Sequence, residues 1–311
     1  MRYLNPKADL TFKKVFGEHP NLVKSLLNAL LPFDSPEEEI EDLDYLTPEL
    51  VPDTPFKKNS IVDVRCRDKR GRQFIVEMQM LWSPAFMQRV LFNASKAYVR
   101  QLGGTEKYEL LQPVYSLNLV NDIFLPDLAE YYHDYRIVRM AHTDKVIEGL
   151  RFIFVELPKF TPHSYNEKKM QVLWLRYLTE IDEQTNQVPK DLLDNPEIHQ
   201  AVMQIEESAF SDAQLLGYDE FWDAVRVESA LVSDALKEGL AEGRAKGLAE
   251  GLAEGRAEGL AEGRAEGLAE GREEGLAEGR LSTARNLKKM GVAPDTIARA
   301  TGLNLEEIEK L

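Results

Sequence analysis

Two short apolar runs that carry acids where a strand would ordinarily place apolar residues constrain this chain more than any other stretch. Ile61-Val62-Asp63-Val64-Arg65-Cys66 and Phe74-Ile75-Val76-Glu77-Met78-Gln79-Met80 both show the alternation of β-strands. The polar turn Asp68-Lys69-Arg70-Gly71-Arg72 joins them and offers a glycine for a left-handed position, so the pair is expected to form an antiparallel hairpin with a cationic tip. Side chains alternate faces along a strand, which puts Glu77 and Gln79 on one face and Val76, Met78 and Met80 on the other. Asp63 can join the polar face from across the hairpin.

Asp is depleted in strands, and a buried carboxylate costs several kcal/mol unless it is paired, hydrogen-bonded or bound to a cation. Two such acids invite a compensating charge, and a hard divalent cation would supply it. Mg²⁺ takes oxygen ligands, keeps several waters and needs about one or two protein carboxylates together with substrate phosphate oxygens. The competing reading is plain: Asp63 could be a cross-strand ion-pair partner of Arg65 and Arg67, and Glu77 with Gln79 the solvated side of an edge strand.

Asp63, thirteen intervening residues and then Glu77-Met78-Gln79 resembles the PD-(D/E)XK nuclease signature in the version where Gln replaces Lys. The N-terminal Asp9-Leu10-Thr11-Phe12-Lys13-Lys14-Val15-Phe16-Gly17 is similar to the opening motif of the Rpn branch of that superfamily, the recombination-promoting nucleases and putative transposases. The likeness runs over about residues 1 to 230 and continues through Arg89, Tyr98 and the stretch Tyr108 to Asn121. It implies a metal-dependent DNA endonuclease with Asp63 and Glu77 as metal ligands, Gln79 in the place of the usual Lys near the attacking water, and Asp9 as an additional metal or water contact. The Gln is a departure with chemical weight, because a neutral amide can orient water but cannot offset developing negative charge as an ammonium does. More of the activation then falls on the metal, and slow or regulated cleavage is expected.

Lys57, Lys58, Arg65, Arg67, Lys69, Arg70 and Arg72 are expected to lie beside the acids and to supply sequence-independent affinity for DNA, with a solvated charged hairpin as the alternative. The net charge of −15 argues against a polyanionic partner, but its distribution is uneven. Nine acids and no base lie between Asp34 and Asp53, and this segment could shield the basic cleft as a DNA mimic. The length and the 43% hydrophobic content allow one sizeable domain plus appendages. A single cysteine, Cys66, suits a reducing cytoplasm, and no apolar run approaches membrane-spanning length. The histidines show no paired metal spacing.

Coarse periodicity gives helices over Asp9 to Leu31, broken at Pro20, and over Ala85 to Leu102, ending at Gly103-Gly104. Further strands are expected at Pro113 to Asn121, Tyr132 to Met140 and Leu150 to Glu156, the first and last central because they are mostly apolar. From Asn166 to Thr179 and Pro189 to about Ser233 the pattern is helical, with Trp174, Leu175, Leu178, Phe221 and Trp222 in the core. The fold class is α/β, a mixed sheet flanked by helices over residues 1–235, which the PD-(D/E)XK resemblance implies is restriction-endonuclease-like. Gln88, Arg89 and Gln101 could reach the cleft from the helix after the hairpin.

Residues 236–281 repeat Leu-Ala-Glu-Gly-Arg-Ala-Glu-Gly, with glycine at every fourth position from Gly239 to Gly279. Ala, Leu, Glu and Arg favour helix, yet eleven glycines cost roughly 10 kcal/mol at about 1 kcal/mol each. Each Arg of the regular units lies two or six residues from a Glu, so bridges within one helix are poorly placed and the natural partners lie on another chain. Gly243, Gly251, Gly259, Gly267 and Gly275 would then allow close approach in a homo-oligomeric stalk, with a flexible linker as the alternative. Residues 282–311 form a small helical module with helix-turn-helix-like spacing, whose Glu306, Glu307 and Glu309 carry the wrong charge for a recognition helix and favour a cap or pairing role. The functional expectation is a Mg²⁺-dependent DNA endonuclease in recombination, mobile-element biology or defence. Its alternative is a catalytically weak DNA-binding or assembly protein on the same fold.

Overall fold

The computed structural model describes residues 2–33, 35–50, 60–102, 107–162 and 169–311. Lys57, Lys58, Asp34, Asp53 and the expected helix stop at Gly103-Gly104 lie outside them. The chain divides into two compact units, Met1–Leu231 and Val232–Leu311.

In the first unit a short helix, α1 (Asp9–Phe12), runs into a π-helical turn at Lys13–Gly17, and α2 (Pro20–Leu30) follows. Pro20 starts α2 as expected, since its missing N–H is one the first turn cannot use anyway. The strands are β1 (Leu43–Tyr45), β2 (Glu49–Leu50), β3 (Ser60–Ile61), β4 (Val64–Asp68), β5 (Gln73–Gln79), β6 (Val114–Val120), β7 (Tyr132–Arg139) and β8 (His142–Glu156), with α3 (Pro84–Val99) between β5 and β6. Six of them form one sheet in the order β1-β4-β5-β6-β8-β7, while β2 pairs with β3. The contacts β5–β6 and β6–β8 are parallel and the rest of the large sheet is antiparallel, so the sheet is mixed.

The 61–66 and 74–80 runs form the hairpin the sequence predicts, paired Val64↔Val76 through Arg67↔Gln73, with Gly71 at φ +84° in the turn. Alternation sends Phe74 and Val76 to one side of the sheet, into a core shared with α2 and with α4 (Lys169–Glu180) and α6 (Pro196–Gln204). It sends Ile75 to the other side, against Ala94 and Ala97 of α3. Trp174, Leu175 and Leu178 are buried in the larger core as expected. Phe221 and Trp222 are only partly buried, against a small cluster of Leu4, Ala8, Phe210 and Tyr218. The last apolar strand begins eight residues earlier than its sequence suggests, because 142–149 is a polar, largely exposed arm paired with β7. The expected helical stretch over 189–233 is interrupted: α5 (Lys190–Leu193), α6 and a 3-10 turn at Glu207–Ala209 precede α7 (Asp212–Lys289).

At the end of β8 the fully buried Glu156 accepts from His133 Nε2 at 2.8 Å, Lys159 Nζ at 2.8 Å and the Phe124 amide at 2.9 Å. That carboxylate fastens the loop after β6 to the sheet, and against the opposing effect of burial these donors hold its pKa below the ordinary carboxylate range.

In the second unit α7 carries the whole glycine tract as helix. The segment 281–289 continues it, where a separate helix was expected from the sequence. Leu240, Leu248, Leu252, Leu260, Leu268 and Leu276 are exposed, and a Cβ added at any tract glycine would meet nothing within 4 Å. Lys246 and Glu250 form an i,i+4 pair at 3.8 Å at the one unit where Lys interrupts the repeat. α8 (Pro294–Thr301) and α9 (Leu305–Glu309) close a small core around Ala284, Ile297 and Ile308. Gly291 and Gly302 take positive φ at the helix ends, and Asn304 and Glu307 form a capping box.

Candidate active site

The ladder Val64↔Val76 brings the next residues outward, Asp63 and Glu77, to the open end of the hairpin. Asp63 Oδ2 accepts from the Met78 amide at 2.8 Å, which ties the residue before β4 to the end of β5. Glu77 is 5% exposed and its Oε1 accepts from Asn93 Nδ2 of α3 at 3.0 Å. One helical turn earlier, Arg89 Nη2 lies 3.8 Å from Glu77 Oε2 and donates to Gln79 Oε1 at 2.6 Å. The Gln79 amide nitrogen donates in turn to the Leu81 carbonyl at 2.6 Å. From the other side α1 and the π turn contribute Asp9 and Lys13, paired at 2.6 Å.

Burial is the main influence on both central carboxyls. It pushes Glu77 up to about 7, with the Asn93 hydrogen bond opposing, the Asp63 charge adding to the rise and Arg89 opposing it. Asp63 is also raised by burial, against the Met78 amide and the charges of Lys13 and Arg89, while Asp9 adds to the rise. Two carboxylates thus sit in one electrostatic neighbourhood, with the Arg89 guanidinium 3.8 Å from Glu77 but not hydrogen-bonded to it. Such a donor set fits a hard divalent cation that keeps waters and borrows phosphate oxygens.

The structure brings together Asp63, Glu77 and Gln79 but gives them unequal parts. Gln79 turns its amide oxygen to Arg89, so it does not present that oxygen to the space between the carboxylates. Asp9 stands within charge reach of Asp63, yet among the described residues no three His, Cys, Asp or Glu side chains are placed to share a metal ion, and Asp9 is engaged with Lys13. Gln101 is remote: it clamps Gln112 through Nε2 to its carbonyl at 2.8 Å and Oε1 from its amide at 2.9 Å, at the start of β6 rather than at the end of β5.

Three basic residues of the hairpin are a second correction, since Lys69, Arg70 and Arg72 sit at its tip, away from the acids, whereas Arg65 pairs with Ile75 two residues from Asp63. Gln73, where the turn joins β5, is four residues from Glu77, about 13 Å at roughly 3.3 Å per residue. Arg72 is buried, pairs with Asp68 at 2.6 Å, donates to the Glu38 carbonyl at 2.8 Å and lies over the Phe33 and Phe74 rings. Arg70 donates to the Glu37 carbonyl and Lys69 pairs with Asp42 at 3.1 Å. Arg65 is half-buried and donates to Gln73 at 2.8 Å, and Arg67 is exposed, as Lys69 and Arg70 are. The cations that do border the acids are Lys13 and Arg89. Asn93 and Lys13 were not singled out by sequence reading; the signal for Asn93 was its i,i+4 spacing from Arg89 on an amphipathic helix.

A family model described as PD-(D/E)XK nuclease family transposase matches residues 6–234. The chain belongs to that family. The match spans the sheet, the helices on both faces and both carboxylates, and the α/β architecture is that of a restriction-endonuclease-like fold. No curated protein and no solved structure matches the chain. Membership makes this a nuclease-related protein of a family that generally uses divalent metal ions. Among the described residues no helix is long and apolar enough to cross a membrane.

Proposed function

We propose that the chain is a Mg²⁺-dependent DNA endonuclease whose reaction centre lies between Asp63 and Glu77. The observation that carries this reading is the Glu77 carboxyl, buried beside a second acid and held by burial at an acidity near neutrality. A neighbouring pair of desolvated carboxylates weakens a fold unless it has a function, and cation binding is the function that relieves the cost. Asp63 and Glu77 would hold the ion, which when bound lowers the pKa of a coordinated water and polarises the phosphoryl oxygen. In hydrolysis the water oxygen joins phosphorus, the bond from phosphorus to one ester oxygen breaks, and the water's protons end on the departing hydroxyl and in solvent. Asn93 keeps Glu77 oriented and the Met78 amide keeps Asp63 oriented.

The same reading gives the glycine tract a role in pairing copies of the chain, so that two reaction centres can address both strands of a duplex. It is supported by the exposed leucine series along α7 and by the poor intrahelical placement of Arg against Glu. Roles in recombination, mobile-element biology or defence follow the family resemblance, and the single cysteine, Cys66, suits a cytoplasmic location. Gln79 in the Lys position favours a second reading, a weak or inactive nuclease that binds and assembles. Incubating the full chain with supercoiled plasmid and Mg²⁺, alongside Asp63→Ala, separates the two. Metal-dependent nicking that Asp63→Ala abolishes supports the nuclease; its absence in the wild type refutes it.

A further inference from the structure

We propose that Arg89 of α3 supplies the positive charge that acts on the scissile phosphate, and that Gln79 serves to hold Arg89 in place. The inference rests on the nuclease reading above and assigns a residue within that same centre. Gln79 occupies the motif position two residues after Glu77, on the same strand face. Its amide nitrogen donates to the Leu81 carbonyl, which fixes the amide so that Oε1 faces α3, and Arg89 Nη2 meets that oxygen at 2.6 Å. The guanidinium is further braced over the Phe86 ring, 4.8 Å from its centroid.

A simple ion pair does not explain this arrangement. Arg89 Nη2 is 3.8 Å from Glu77 Oε2, well beyond the roughly 2.8 Å of a charge-assisted hydrogen bond, so the cation is near the carboxylate without being spent on it. Among the described residues Nη2 is its one nitrogen with a hydrogen bond, and half of the side chain is exposed at 50%. A planar, permanently charged fork held at the mouth of a two-carboxylate centre, with donors to spare, fits a phosphodiester oxygen pair. A neutral glutamine at the motif position therefore need not leave the site without a cation, because the charge arrives from the neighbouring helix and the amide positions it.

Plasmid nicking by the full chain tests this with Arg89→Ala, Arg89→Lys and the double variant Arg89→Ala/Gln79→Lys, each also heated with and without Mn²⁺. Removal of one stabilising donor from a hydrolytic centre typically costs a factor of about 10²–10³ in kcat, and that loss is expected for Arg89→Ala. Arg89→Lys should retain part of the rate, and the double variant, with a cation returned at the motif position, should recover at least about tenfold over Arg89→Ala. The Mn²⁺-induced rise in Tm should persist in all three, since the carboxylates remain. Arg89→Ala within about threefold of the wild-type rate, or a double variant no faster than Arg89→Ala, overturns the assignment while leaving the nuclease intact. Loss of the Mn²⁺-induced rise in Arg89→Ala also overturns it, by making Arg89 a support of the metal site. A wild type that does not nick removes the nuclease reading, and this assignment with it.

Discussion

Replacing Glu77 with Gln should make the metal-free protein more stable at alkaline pH. The folded state holds the Glu77 proton up to about pH 7, whereas an unfolded glutamic acid releases it near its ordinary value of 4.5. Between those values the native state binds more protons than the unfolded one, so stability falls as pH rises through the window and the cost is complete above it. A rise of about 2.5 pKa units at roughly 1.4 kcal/mol each amounts to about 3 kcal/mol at pH 8 and close to nothing at pH 4.5. The amide keeps the acceptor for Asn93, and the lost attraction to the half-exposed Arg89 is screened to about 1 kcal/mol or less, so a net gain of about 2–3 kcal/mol is expected at pH 8. Urea unfolding with EDTA, followed by tryptophan fluorescence, reads the correct unit because Trp82, Trp174 and Trp222 all lie within Met1–Leu231. A gain below about 1 kcal/mol at pH 8, or an equal gain at pH 4.5, would refute the idea that burial of an ionised Glu77 strains the apo fold.

Four other outcomes follow from the same geometry. Mn²⁺ binding near pH 6.5 should release well over half a proton per ion and near pH 8.5 almost none, as the ion displaces the Glu77 proton; calorimetry in buffers of different ionisation enthalpy measures this. Arg72→Ala should cost about 3–5 kcal/mol in urea unfolding, because Asp68 is left buried without its partner, and should leave the nicking rate per folded molecule unchanged. Glu156→Ala should cost a similar ~3–5 kcal/mol, since His133 and the Phe124 amide lose their acceptor and Lys159, though it keeps the Leu125 and Leu128 carbonyls, loses its counter-charge. Replacing Gly243, Gly251, Gly259, Gly267 and Gly275 with Ala should raise helicity by circular dichroism, by about 1 kcal/mol of helix propensity per site. If copies of the chain pack closely there, the same change should lower the sedimentation coefficient, since nothing within one chain opposes the added Cβ atoms. Unchanged sedimentation would remove the close-packed stalk.

The hairpin and the pairing of its acids were legible because strand alternation is a local signal, and a register that places Val64 opposite Val76 leaves Asp63 and Glu77 together. The central strands β6 and β8 were legible for the same reason, as apolar runs in a parallel arrangement. The polar arm 142–149 was not, because it is held by backbone pairing with β7 and carries no apolar pattern. Misplacement of the basic residues has another cause: sequence proximity to Asp63 said nothing of the strand length that separates a hairpin's tip from its open end. Arg89 lay in view as a residue able to approach the cleft, but its contact with Gln79 depends on how α3 crosses the sheet, which periodicity does not encode.

Arg70 and Arg72 donate to the main-chain oxygens of Glu37 and Glu38, and Lys24 to that of Glu41, so in these contacts the cations meet neutral groups and not the carboxylates of the stretch. The acids of this stretch, Glu37 to Asp44, outnumber the bases that touch it, and most of their side chains remain turned outward. The hairpin tip therefore sets the exposed Arg67, Lys69 and Arg70 beside a larger number of exposed carboxylates, so it offers a polyanion a mixed face despite its arginine-rich spelling. On the nuclease reading proposed above, a duplex meets less repulsion along the opposite border, where Lys13 and Arg89 stand, so the acidic stretch Glu37 to Asp44 would give its approach a direction.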